Sequence, residues 1–202
     1  MLFAFTLVQI HVLLPSYVDK FLQMGGNVYA SAEIYYSFGA ILSGILVYKI
    51  FSKYNAYLSI IFLMTIVSIA FLGMSFSDNI ILFFSANLLL GITNAGVRIL
   101  RTTYLFSYIP NNIIGRATSV FSSINVVVRM TLIMLFSMPF FLEGENIRWG
   151  YFIGCSMLFI TTILLYLSYL ECKYKSGNYL EKIERIILTS TIIIFFFSLY
   201  CY

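Results

Sequence analysis

Long apolar runs broken by short polar stretches dominate the pattern along this chain, and polarity does not alternate within the runs. Runs of about 18 to 27 residues are long enough to cross a hydrocarbon core of roughly 30 Å as helices rising 1.5 Å per residue. Outer-membrane strands read instead as segments of about 10 residues with alternating polarity, so a β-barrel is set aside. The predicted spans cover residues 1–18, 28–48, 56–76, 80–109, 117–142 and 149–170. They are separated by polar or turn-forming breaks, among them Gly25-Gly26-Asn27, Ser77-Asp78-Asn79, Pro110-Asn111-Asn112 and Glu143-Gly144-Glu145-Asn146. The fourth run is long for a single crossing, which predicts tilt or extension into the interface.

Composition fixes the class. Of 202 residues, 61% are hydrophobic and only 10% charged, with a mean hydropathy of +0.95. A soluble surface uses about 25% charged residues, so a water-facing globule cannot be tiled from this inventory. The expected fold is all-α: a polytopic transmembrane helix bundle of six spans over residues 1–171. A basic cytoplasmic segment, 172–185, and a short apolar segment, 186–202, follow it. That last run is at the lower limit for a crossing; a seventh span, an interfacial helix and the stub of something longer all fit it.

The net charge of +4 does not point to nucleic acid, because the basic residues form no dense patch beside stacking aromatics. They orient the spans instead. With the first helix running outward, the cytoplasmic loops hold Lys49, Lys53, Arg116, Lys173, Lys175, Lys182 and Arg185, against Lys20 and Arg148 outside. Trp149 and Tyr151 at the outer edge of the sixth helix, and Tyr166, Tyr169 and Tyr174 at its inner edge, suit the aromatic belts. The first residues lack the positive flank of a secretory signal and read as a span. An inner, plasma-type membrane is the expected location.

Charges inside the spans are the candidates for function, since each costs about 2.5 to 3.5 kcal/mol at the bilayer centre and normally faces a bundle interior or a watery cavity. They are Glu33, Arg98, Arg101 and Arg129. Glu33 either snorkels toward the headgroups or, desolvated, takes up and releases a proton. Arg98 and Arg101 share one helix face. For the arginines the plainer readings are a structural pair or a phosphate anchor at the inner leaflet; Arg129, near the middle of its helix, requires a carboxylate, a carbonyl or a substrate. His11, with Gln9 nearby, is either a hydrogen-bonded interface residue or a proton relay. Asn87, Asn94 and Asn125 read as interhelical glue or as lining of a substrate path. The small pairs Gly39 with Ser43, Ala40 with Gly44, and Gly91 with Ala95 permit close helix contact.

Other chemistry finds no support in the residues. The three cysteines make no CxxC pair and a single histidine excludes a histidine cluster, so neither a metal nor a cofactor is expected. No G-x-S-x-G elbow, H-E-x-x-H helix or Walker loop is present, and no enzyme is expected.

The order of motifs resembles one half of a major facilitator superfamily transporter. The segment Leu89-Leu90-Gly91-Ile92-Thr93-Asn94-Ala95-Gly96, continuing to Ile109-Pro110 and Ile114-Gly115-Arg116-Ala117-Thr118-Ser119-Val120, is similar to that family's fourth or tenth helix and the loop behind it. Leu14-Pro15-Ser16-Tyr17-Val18 followed by Phe38-Gly39-Ala40-Ile41-Leu42-Ser43-Gly44 resembles the opening of a half. The family's loop signature, roughly G-x-x-x-D-R-x-G-R-R, is replaced by Gly44-Ile45-Leu46-Val47-Tyr48-Lys49-Ile50-Phe51-Ser52-Lys53, without the aspartate or second glycine. That weakened copy is more typical of the second half, helices seven to twelve, and an opening helix without a cytoplasmic flank is expected of a half separated from its partner.

The resemblance, which covers roughly residues 1–170, implies transport of a small molecule by alternating access, in the drug or macrolide efflux branch and driven by a proton gradient. Its implied partners are the bilayer, a small-molecule substrate, and a second six-helix half or a homodimer mate. The alternative is a non-transporting membrane remnant or scaffold. The charge bias predicts that Cys172 reacts with a membrane-impermeant maleimide only when the cytoplasmic face is exposed. Labelling from outside intact cells contradicts the orientation.

Overall fold

The computed structural model describes residues 5–6, 8–49, 55–76, 79–108, 110, 113–142 and 146–174. These are helices joined by short turns, with no strand among the described residues. The chain enters through α1 (residues 9–21) and continues through α2 (Gly26–Lys49), α3 (Ala56–Phe76), α4 (Ile80–Tyr108), α5 (Ile114–Phe136), a short turn α6 (Pro139–Leu142) and α7 (Ile147–Tyr174). Five helices, α2 to α5 and α7, are long and apolar enough to cross a membrane. The first predicted span is described only in part. The predicted tail at 186–202, the basic segment from Lys175 onward and the loop residues Ile50–Tyr54 lie outside the described residues.

Lipid offers the backbone no hydrogen bonds, so a spanning segment must satisfy its own. The hydroxyls follow the same rule: Ser68, Ser75 and Thr162 are buried and donate to the carbonyls of Met64, Phe71 and Leu158 four residues back. Helix α1 solves a harder version of the problem. Pro15 has no N–H to give the preceding turn, and π-helical turns at Gln9–Leu13 and Tyr17–Phe21 flank it; the Leu14 N–H reaches back five residues to the Gln9 carbonyl.

Proline also corrects one predicted boundary. The fifth run, expected to continue to Leu142, stops at Phe136, and Pro139 opens the separate turn α6. Proline disfavours the helical conformation in the residue before it and removes a backbone donor, so an uninterrupted apolar run is not an uninterrupted helix.

Helix α1 and the helical residues just ahead of it run through the centre: Phe5 and Val8, then Leu13, Leu14, Tyr17 and Val18 of α1, are all buried. Phe5 meets Phe71 and Phe136 edge-on at 5.2 and 5.8 Å. Tyr17 stacks on Phe83 at 5.6 Å and meets Tyr151 edge-on at 5.1 Å, and its hydroxyl donates to the Met74 carbonyl over 3.3 Å. Such aromatic pairs contribute about 0.5 to 1.5 kcal/mol each. Around this axis α2 packs along α4, α3 lies between α4 and α7, and α1 touches α5 and α7. The α1–α5 contact is slight, and α5 is the most exposed of the five long apolar helices.

Small residues set the closest approach. A Cβ on Gly39 would overlap the Leu88 carbonyl, and one on Gly91 would overlap the Tyr36 carbonyl, so α2 and α4 meet backbone against backbone. Ser43 is buried beside Gly96 on the same seam. Gly44, expected on the packing face, is instead exposed with nothing near it: one residue beyond Ser43, it is rotated about 100° away. Gly91→Ala is therefore expected to destabilise the protein by about 1 to 3 kcal/mol in detergent unfolding, whereas Gly44→Ala is neutral or stabilising by up to about 1 kcal/mol.

Candidate substrate cleft

The sequence candidates separate into distinct places. Glu33 is half-buried on α2, and the Tyr29 hydroxyl one turn back donates to its Oε1 over 2.6 Å. Its partner is thus a neighbour on its own helix and not an arginine. Asn94 is buried on α4 and its amide donates to the Tyr36 hydroxyl on α2 over 2.8 Å, a side-chain bond across the seam that the glycines close. Asn87 donates within its own helix to the Phe83 carbonyl. His11 is exposed on α1.

Arg101 and Asn125 do come together. A cleft of about 170 Å³ opens between the last turns of α4 and the first turns of α5, lined by Arg101, Thr102, Leu105, Phe106, Thr118, Phe121, Ser122 and Asn125. The lining falls at i, i+1, i+4 and i+5 on α4 and at i, i+3, i+4 and i+7 on α5, one face of each helix. Thr102 and Thr118 spend their hydroxyl hydrogens on carbonyls of their own helices. Among the described residues, Arg101, Ser122 and Asn125 have no hydrogen-bond or ion-pair partner. Arg98 is exposed one turn before Arg101, and half-buried Arg129 lies one turn beyond Asn125. The wall is thus cationic and polar at one end and greasy at Leu105, Phe106 and Phe121.

Two residues sit where the sequence does not lead one to expect them. Tyr151, taken for an aromatic-belt residue, is fully buried at the bundle axis. It faces Gln9, whose amide is equally buried, and neither side chain completes a hydrogen bond of good geometry among the described residues. Arg148, placed in an outer loop, sits in the first turn of α7 with its guanidinium 4.3 Å from the centre of the Phe21 ring. A tyrosine two residues past a tryptophan points to the opposite flank of a helix by its 100° step, and that spacing was the available signal.

The sequence matches no known protein family, no curated protein and no solved structure. Tyr36→Phe leaves the buried Asn94 amide without its partner, and the expected cost is about 0.6 to 2 kcal/mol; an unchanged unfolding midpoint in detergent would show that the bond contributes nothing.

Proposed function

We propose that this chain is one six-helix half of a secondary transporter of the major facilitator type, working in a plasma-type membrane with a second half or a second copy. The observation that carries the reading is the pattern of helix contacts. Count α1, α2 and α3 as one triplet and α4, α5 and α7 as the other, and exchange them in order. The α2–α4 contact then maps onto α5–α1, the α3–α4 contact onto α7–α1, and the α3–α7 contact onto itself. The match is partial: the two α1 contacts are slight beside the α4 contacts they answer, and the α1–α2 contact has no counterpart of like extent between α4 and α5. Three-plus-three repeats of opposite topology are how such halves are built, with the substrate site near the junction of the repeats.

The polar inventory supports the same reading. The spanning helices carry a carboxylate, Glu33, with a hydroxyl donor in contact, and arginines that no described acid neutralises. Intramembrane charges of this kind belong to cavities and ion paths. Glu33 serves as the proton-coupling group, the cleft holds part of the substrate, and efflux driven by a proton gradient is the expected direction. The exposed faces of α2 and α5, which exchange under the same repeat operation, are the surfaces offered to the other half.

Reconstitution of the full chain into proteoliposomes, with and without a supplied six-helix partner, tests the proposal. Substrate flux is expected only in the paired assembly, and Glu33→Gln is expected to abolish its dependence on a pH gradient while the protein remains folded. Pairing without flux for any substrate supports the scaffold reading instead. Flux with an unaltered pH dependence in Glu33→Gln removes the proton role.

A further inference from the structure

The cleft between α4 and α5 holds more positive charge than its surroundings neutralise. Arg101 lines it and Arg98 stands one turn away, with Arg129 one turn past Asn125 on the opposite wall. Within the five long apolar stretches the one acidic residue is Glu33, which accepts from Tyr29 toward the Gly26 end of α2; Asp19 is exposed on α1, and the side chain of Glu171 near the end of α7 lies outside the described residues. The Tyr36–Asn94 bond fixes the register of α2 against α4, and Arg101 lies two turns beyond Asn94, on the side away from Glu33. A carboxylate on the same helix pair therefore does not reach the cleft.

The donors that remain are of one kind. The Arg101 guanidinium offers a planar fork of N–H groups, the Asn125 amide two N–H and Ser122 one O–H, and no described group accepts from them. Guanidinium forks match oxyanions bidentately. Beside these donors, Leu105, Phe106 and Phe121 supply an apolar wall. Such a site fits an anion attached to a greasy body. The donor number and the second and third arginines favour a phosphate group, which carries more oxygens and more charge, over a monocarboxylate.

We infer that this cleft binds the phosphate group of an amphipathic organic phosphate, held by Arg101, Ser122 and Asn125 with its apolar body against Phe106 and Phe121. Two sources carry that chemistry: a passenger molecule, and the headgroup of an anionic phospholipid. Calling the ligand a passenger rests on the transporter reading above, whereas the phosphate site itself does not.

The test is the thermal unfolding midpoint of the full chain in maltoside detergent, which carries no phosphate, titrated with phenyl phosphate, with phosphatidic acid in mixed micelles, and with benzoate. A ligand that binds the folded state alone raises the midpoint with concentration and yields an apparent affinity. A rise with phenyl phosphate points to a passenger; a rise with phosphatidic acid alone points to a resident lipid. Both support the site. Arg101→Gln is expected to weaken the phosphate effect at least about tenfold, as loss of a charge-assisted bidentate contact does, and Asn125→Leu to weaken it less. Arg116→Gln, whose side chain is exposed outside the cleft, is the control and keeps the wild-type affinity. The inference is overturned if neither phosphate shifts the midpoint, if benzoate binds as tightly as phenyl phosphate, or if Arg101→Gln and Arg116→Gln behave alike. Because binding is measured without flux, failure of transport in the paired assembly leaves this result standing, and the two readings fail separately.

Discussion

Backbone contact between α2 and α4 is the constraint on which the rest of the bundle depends. Lipid tails are as apolar as leucine, so helices in a bilayer gain nothing from merely hiding apolar side chains; they associate through close packing and through hydrogen bonds between them. Gly39 and Gly91 remove the Cβ atoms that would hold the two backbones apart. The gap they close is narrow enough for the Asn94 amide to reach the Tyr36 hydroxyl. Helix α4 is then the post on which both α2 and α3 lean. Its far end presents Arg101 to α5, so the geometry of the cleft follows from a seam several turns away.

The second organising feature is the central helix. Phe5, just ahead of α1, and Leu13 and Tyr17 within it are inserted among α3, α5 and α7. Gly154 makes room for the Phe5 ring, which a Cβ there would overlap. Cys155, next along α7, donates its thiol hydrogen to the Ser68 carbonyl on α3 over 3.1 Å. Like the Tyr36–Asn94 and Tyr17–Met74 bonds, this contact joins helices that are not neighbours in sequence. These contacts fix which helix meets which, while the aromatic packing fills the space between.

Much of this architecture was legible in the sequence, for a physical reason: a crossing requires a long apolar run, and runs are visible without any partner. The span 56–76 was read with the bounds that α3 has, and the ends of α2, α4 and α7 fall within a few residues of expectation. The seam glycines Gly39 and Gly91 were legible because close approach demands small residues at helical spacing. What could not be read was rotation about each helix axis. Gly44 and Ser43 look equivalent on paper, yet one lies in the seam and the other faces outward. Tyr151 suited an interfacial belt by its depth alone and proved axial. Of the candidate site, Arg101 and Asn125 stand out in the sequence as polar residues within apolar runs, but that they line one cleft does not, because the approach of α4 to α5 there is a tertiary fact. The hydroxyl of Tyr29 on Glu33 is a local i, i+4 contact, a spacing the sequence did display.

The length of α4 carries a consequence for its setting. Its 29 residues extend for about 43 Å, against roughly 30 Å of hydrocarbon. Counted from Ile80 in an upright helix, that thickness is used up near Leu100, and the next residue is Arg101. Where α4 crosses a bilayer from Ile80, the thickness of that bilayer sets where the guanidinium sits. A thinner membrane leaves it among the headgroups, and a thicker one draws it toward the acyl chains or forces α4 to lean, at a fraction of a kcal/mol for each ångström of mismatch.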